Sequence, residues 1–318
     1  MESAEHRRNY HSPALIREVH DFLSLIPGDR WIDATVGDGG HATALLEATA
    51  PNGEMLGIDA DPESLERARG RLQPFGNRVN LVNDNFANLE RIVQQHKFHP
   101  ITAILLDLGL SSYQLDDASR GFSFRDASLD MRMDPNQQLT ASYIVNTYSE
   151  EELRRVIATY GEEPQARRIA RAIVRYRPIY TAQELARVIE SMVPRRGRRI
   201  HPATRSFQAL RMRVNDDLEN LESFLEQAVR VLNQGGRLAV IAYHSLEDRI
   251  VKLFFRQESR DCICPPERPQ CVCGHRATLR ILTKKVIKPT ANEIQGNPRV
   301  RSARLRAGMT LGPGGLAR

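Results

Sequence analysis

Asp33, Asp59 and Asp107 each close a short apolar run, and the first of them opens the glycine-rich stretch DATVGDGGHA, residues 33–42. The chemistry of such a loop depends on what it holds. A phosphate-cradling loop ends in Gly-Lys-Ser/Thr, and this one contains no lysine, which argues against nucleotide hydrolysis of that kind. A dinucleotide fingerprint, G-x-G-x-x-G/A, can be laid on Gly37, Gly39 and Ala42. Asp59, 20 residues beyond Gly39, then suits a ribose hydroxyl pair. Nicotinamide and S-adenosylmethionine enzymes share that acid. Three further features favour S-adenosylmethionine over a nicotinamide dehydrogenase. Asp33 would repel a pyrophosphate but suits a sulfonium and an ammonium. NDNF, residues 83–86, offers polar groups and an aromatic ring to an adenine. Asp107 faces the same edge, where ligands of such sheets bind.

Those residues need a parallel sheet to bring them together, and the pattern supplies one. RWIDATV (30–36), GEMLGIDA (53–60), RVNLVND (78–84) and ITAILLDLGL (101–110) read as strands, with helical spacing in between. That alternation predicts a doubly wound α/β sheet covered by helices on both faces. After residue 110 it stops, and the chain reads as helices only. Two of them open with capping boxes, Ser149/Glu152 and Thr181/Glu184. Sheet logic resumes with DDLENLESFLEQAVRVLNQGG and RLAVIAYHS (237–245), and LRILTKKVI and ARLRAG supply closing strands. The expected organisation is a core of residues 1–112 and 214–318 with an all-helical domain, 113–213, inserted after the fourth strand.

The insert carries the charge. Between Arg154 and Arg213 lie 15 arginines, no lysine and 4 glutamates, an excess of +11, so the rest of the chain carries −5 of the total +6. A basic segment on a nearly neutral body points to an anionic partner, above all a nucleic acid. No apolar run has the length of a membrane span, and no signal peptide is recognisable, so a cytoplasmic protein is expected. The four cysteines lie together between Cys262 and Cys273, unlike a disulfide framework spread over a secreted fold.

HSPALIREV, DATVGDGGHA, GIDADP, LLDLGLSSYQLDDASRGFSFRDASLDMRMD, FQALRMRVNDDLENLE, GGRLAVIAYHSLEDR and NPRVRSARLRA follow one another from about His11 to Ala307. In that order they resemble the successive motifs of one bacterial family, the ribosomal RNA small subunit methyltransferase H enzymes, which methylate cytosine N4 in 16S rRNA. The resemblance implies a class I methyltransferase (Rossmann-like) fold with a helical insert that faces RNA. It also implies S-adenosyl-L-methionine as cofactor and N4-methylcytidine in the decoding region as product. The family's cofactor contacts carry over to Gly39, Gly40, His41, Asp59, Phe86, Asp107 and Gln114.

The exocyclic amine of cytosine is a poor nucleophile because its lone pair is drawn into the ring. An acceptor for its protons raises its electron density. Many amino-methyltransferases provide one in an Asp/Asn/Ser-Pro-Pro-aromatic motif after strand four, but here the chain reads DLGLSSYQ, with no proline pair. Asp107, with Ser111 and Ser112 of the same loop, is the candidate catalytic group. Carbon-5 methylation needs a cysteine nucleophile, and no cysteine sits near a strand-four end. Ribose methylation often uses a lysine, and lysine is absent from residues 98 to 251. Tyr113, Phe122 and Phe124 read either as a stacking surface for a base or as core. Ser245 and Asp248 in YHSLEDR read as a capping box rather than as part of a hydrolase triad, with His244 and Ser245 on the substrate side of strand five.

In PRRGRRIHPATRSFQALRMRVND (194–216), Arg195, Arg196, Arg198, Arg199 and Arg205 are the RNA-contact candidates. No metal is expected at the catalytic centre. The two C-x-C pairs of CICPPERPQCVC read either as ligands of a structural zinc or as a surface loop of reduced thiols. The expected partner is 16S rRNA or the small ribosomal subunit, with a homodimer left open and no membrane involved. Three alternatives remain: methylation of another amine, in DNA or protein, a cofactor-binding module that binds RNA without catalysis, or a nicotinamide dehydrogenase.

Overall fold

The computed structural model describes residues 13–193, 200–268 and 270–312. The chain begins with α1 (Ile16–Leu23) and then alternates: β1 (Arg30–Asp33), α2 (Gly40–Ala48), β2 (Glu54–Asp59), α3 (Pro62–Leu72), β3 (Val79–Asn83), α4 (Leu89–Gln95) and β4 (Ala103–Asp107). A helical stretch follows: α5 (Ser112–Asp116), α6 (Ala141–Thr147), α7 (Glu150–Gly161), α8 (Ala166–Arg175), α9 (Ala182–Met192) and α10 (Thr204–Asn215). After α11 (Asp217–Val231) come β5 (Arg237–Ala242), α12 (Ser245–Glu258), β6 (Leu279–Ile281), α13 (Ala291–Gly296) and β7 (Arg304–Thr310). The chain divides into two compact units, residues 1–109 with 220–318 and residues 110–219. Among the described residues no helix is long and apolar enough to cross a membrane.

The first unit holds a seven-stranded sheet in the order β3-β2-β1-β4-β5-β7-β6. Strands β1 to β5 run parallel, and β7 enters antiparallel between β5 and β6. A doubly wound sheet with that reversed strand is the class I methyltransferase fold. The central strands β1, β4 and β5 are buried on both faces, which is why they read as continuous apolar runs rather than alternating ones. Trp31, Met55, Leu105 and Ile241 point into a layer shared with α1, α2 and α3. Their neighbours Ile32, Leu56, Leu106 and Val240 point into the opposite layer, against α4, α11 and α12. Strand order reverses between β1 and β4, and the crevice beyond their carboxyl ends is where such sheets bind ligands.

Local chemistry explains the helices that frame that crevice. Asp61 caps α3 by accepting from the Glu63 amide, Pro62 occupies its first turn, and Arg69 and Arg71 its last. Gly39, at φ +76°, turns the chain into α2 in a conformation that favours glycine.

In the second unit, α6 to α10 enclose their own apolar core around Ile144, Ile157, Ile169, Leu185 and Leu210. The boxes on Ser149/Glu152 and Thr181/Glu184 both form. Much of the motif between Gly109 and Asp134 is irregular backbone braced by side chains, as buried polar groups outside helices require. Asn215 accepts from the Met133 amide and donates to the Met131 carbonyl, while Arg120 reaches the carbonyls of Arg132 and Met133.

Candidate active site at the carboxyl edge of the sheet

Asp33 ends β1, Asp59 ends β2 and Asp107 ends β4, so the three carboxylates share one edge of the sheet. Register makes this automatic. Asp33 lies opposite Gly57 on one side and Leu105 on the other, and Asp107 lies opposite Ile241. Where β1 ends, the Thr35 hydroxyl accepts the Asp107 amide at 2.7 Å and ties the two strand ends together across the switch point. Gly37 donates its amide to Asp59 Oδ2 at 2.8 Å, and Asp61 donates to Oδ1 at 2.9 Å. Each oxygen therefore keeps a second lone pair for a ligand hydroxyl.

Burial governs the electrostatics. Asp33, 1 % exposed, is pushed up to about 7, with the His41 ring pulling partly the other way. Asp59 is held at about 6, again mainly by desolvation, against the amides of Asp61 and Gly37. His41, in the first turn of α2 and 5 % exposed, places Nε2 3.5 Å from Asp107 Oδ2. Among the described residues its ring nitrogens and Asp107 Oδ1 make no hydrogen bond. Buried polar atoms without partners cost about 1–3 kcal/mol each, so their convergence at one place marks this edge as a ligand-binding candidate.

Tyr243, just after β5, donates to Asp107. Its phenol is held well above its ordinary value by burial and by the Asp107 charge, so it stays a neutral donor. The sequence did not point to this residue. Gly109, at φ +117°, lets the chain after β4 pass close to that ring: a Cβ there would lie 3.1 Å from Tyr243 Cδ2. Glu247 fixes the backbone of Tyr243 and His244 by accepting both amides, at 2.9 and 3.0 Å. The cap of α12 is therefore His244 with Glu247, one residue earlier than the expected Ser245 with Asp248. Asp248 instead receives Arg306 at 2.7 Å.

Phe86 sits in a short 3₁₀ turn after β3, is partly buried against the core, and meets Phe224 edge to face at 5.6 Å. The first unit thus gathers Gly39, Gly40, His41, Asp59 and Asp107 at the strand ends, with Phe86 after β3. Pro13 packs against Gly40 at the same loop. Ser111, Ser112, Gln114 and Arg205 belong to the second unit. There Ser111 and Gln114 form a reciprocal capping box on α5, and Arg205 donates to the Glu162 carbonyl at the end of α7. Arg195, Arg196, Arg198 and Arg199 lie outside the described residues. Phe122 is buried, and Phe124 stacks on His201 at 4.4 Å and meets Phe207 edge-on at 4.8 Å, so both serve as core.

The residues fit S-adenosyl-L-methionine. Burial raises Asp33 further than His41 offsets, which suits a neighbouring sulfonium and ammonium, and Asp59 retains acceptor capacity for a ribose diol.

Similarity to known proteins agrees with this geometry. The profile of the MraW methylase family matches residues 8–310. The ribosomal RNA small subunit methyltransferase H of Dehalococcoides mccartyi is 54% identical over 297 residues, which is 93% of this chain and 85% of that one. Its counterpart in Thermomicrobium roseum is 52% identical over 301 residues, covering 93% and 92%. That of Syntrophotalea carbinolica is 50% identical over 303 residues, covering 93% and 96%. The chain belongs to the MraW methylase family and is an S-adenosyl-L-methionine-dependent methyltransferase.

Proposed function

We propose that the chain methylates the N4 amine of a cytidine in the decoding region of 16S rRNA. Relatives more than half identical and named ribosomal RNA small subunit methyltransferase H carry this reading. The arginine-rich helical unit supports it, since α8 turns Arg167, Arg168, Arg171 and Arg175 to solvent. The site holds an acceptor and no thiol: all four cysteines lie after α12.

Bound cofactor supplies an electrophilic methyl carbon on sulfur. Asp59 would hold its ribose hydroxyls, Phe86 would lie against its adenine, and Asp33 with the Gly39–Gly40–His41 turn would receive its charged end. Asp107 Oδ1 accepts an amine proton of the cytosine and takes it as the nitrogen gains positive charge. Tyr243 holds that carboxylate in place, with His41 Nε2 3.5 Å from its Oδ2. Ser111, Ser112 and Gln114 remain candidates contributed by the helical unit, and Arg205 with the arginines at 195, 196, 198 and 199 would contact RNA phosphates.

Label from radioactive S-adenosylmethionine, followed into nucleosides of small subunits taken from cells lacking the enzyme, tests the assignment. N4-methylcytidine is the expected product. Label in another nucleoside would refute the target, and no label despite bound cofactor would favour a silent RNA-binding module.

Binding of a cationic cofactor requires ionised carboxylates, which sets a pH dependence. Asp33 at about 7 and Asp59 at about 6 stand above their ordinary 3.8. The free protein therefore holds protons that the unfolded chain releases, and its stability falls as pH rises from about 4 towards 7. Cofactor affinity runs the opposite way. It is expected to level off above about pH 7, to fall roughly tenfold per unit between about 7 and 6, and to steepen towards a hundredfold per unit below about 6, where both groups are protonated. Calorimetry in buffers of different ionisation enthalpy reads both the affinity and the protons released. A flat profile would remove Asp33 from the cationic end of the cofactor and Asp59 from its ribose hydroxyls.

A further inference from the structure

The connection from α12 to β6 carries Cys262, Cys264, Cys271 and Cys273, and their four sulfurs all lie within 4.8 Å of one another. Sγ of Cys271 and Cys273 are 3.6 Å apart, and those of Cys262 and Cys273 are 3.9 Å apart. A tetrahedron with metal–sulfur bonds of about 2.3 Å has edges of about 3.8 Å, close to the spacing of these two pairs. A disulfide would need about 2.05 Å. Ligands of an iron–sulfur cluster bind different irons and stand farther apart.

Backbone amides address these sulfurs in a crossed pattern. The middle residue of each C-x-C pair donates to the last cysteine of the other: Ile263 to Cys273 at 3.5 Å and Val272 to Cys264 at 3.4 Å. Such donors suit thiolates, the form in which cysteine binds metal. Gly274, at φ +62°, turns the chain away directly after the last sulfur.

Nothing apolar explains why the thiols gather. None of the described residues between Cys262 and Cys273 belongs to a hydrophobic cluster, and Ile263 and Val272 are 42 % and 67 % exposed. Hydrogen bonds close the base of the loop, from Thr278 to the Glu258 carbonyl at 2.9 Å and to its carboxylate at 2.6 Å. His275 is turned to the Gln257 carbonyl at 3.2 Å, which leaves sulfur alone as the donor set.

We propose that Cys262, Cys264, Cys271 and Cys273 form a mononuclear tetrathiolate site for a structural zinc ion that fixes the connection between α12 and β6. Sulfur-only tetrahedral donors select zinc or iron among common metals. Four thiolates and one Zn²⁺ leave a net charge of −2, beside Arg260, Arg268 and Arg276 of the same connection. Four protein ligands leave no open position for a substrate, so the role is architectural.

The full chain, purified reduced and without chelator, is expected to contain one zinc per molecule by elemental analysis. Its four thiols are expected to react with a thiol reagent only as the metal is released. Exchange with cobalt should give thiolate charge-transfer absorption and tetrahedral visible bands. The double variant Cys271→Ser/Cys273→Ser should lose the metal and become sensitive to proteolysis between α12 and β6 while still binding S-adenosylmethionine. Failure of the reduced wild-type chain to take up zinc or to give the cobalt spectrum would overturn the proposal. So would stoichiometric iron, or a mass showing two disulfides in the chain as isolated.

Discussion

Asparagine in place of Asp107 is expected to lower turnover at saturating cofactor by about 10²- to 10⁴-fold, the range of a lost proton acceptor. The substitution preserves shape, and the carbonyl half of the amide can still accept from Tyr243. What disappears is the charge and the second acceptor, Oδ1, which has no hydrogen-bond partner of its own. Cofactor affinity measured beside turnover separates two roles for one side chain. If Asp107 serves the amine, the rate collapses while the dissociation constant changes by less than about tenfold, one weakened hydrogen bond. If it serves only the cofactor, the dissociation constant rises and turnover at saturation is spared. Single-turnover rates on small subunits decide the matter, and unchanged turnover would remove Asp107 from the chemistry.

Removal of the Asp59 side chain should act on binding instead. Two hydrogen bonds from a ribose diol to a carboxylate contribute about 1.5–3 kcal/mol each, so Asp59→Ala is expected to raise the dissociation constant at least about 10²-fold. Turnover at saturating cofactor should change little. Part of the loss is indirect, because Asp59 also holds the Gly37 and Asp61 amides. Asp59→Asn, which keeps an acceptor for one of them, should fall between the two. A wild-type affinity in the alanine variant would show that the cofactor does not rest on this strand end.

Much of the sheet was legible because burial on both faces writes its central strands as apolar runs. Their ends were overextended: ITAILLDLGL suggested a strand to residue 110, whereas β4 stops at Asp107. Beyond it the chain leaves the pleat, and Gly109 at φ +117° lets it pass Tyr243. Capping boxes at Ser149 and Thr181 were readable since both partners lie within one turn. The His244 cap was not, because it uses a ring nitrogen as acceptor where a hydroxyl or carboxyl is the usual sign. α1 gave no signal either, entering through Leu15 at φ +54° with no capping side chain. Strand order at the far edge also stayed hidden, as apolar pattern alone does not say that β7 inserts between β5 and β6. Tyr243 was missed for the same reason of distance: its meeting with Asp107 exists only once β4 and β5 pair.

That pairing has a consequence for how the protein is made. β1 covers one edge of β4, but the other edge waits for β5, which leaves the ribosome about 130 residues later. At roughly 5–20 residues per second, that interval is about 6 to 26 s. Throughout it the nascent chain carries an unpaired run, Ala103–Asp107, of the kind that templates association with other strands. The helical unit, emerging in the same interval with a core of its own, can fold before the sheet that flanks it in sequence is complete. Vectorial synthesis therefore places the vulnerable moment of this protein before β5 appears, and the last strand to arrive, β7, is the one that closes the other side of β5.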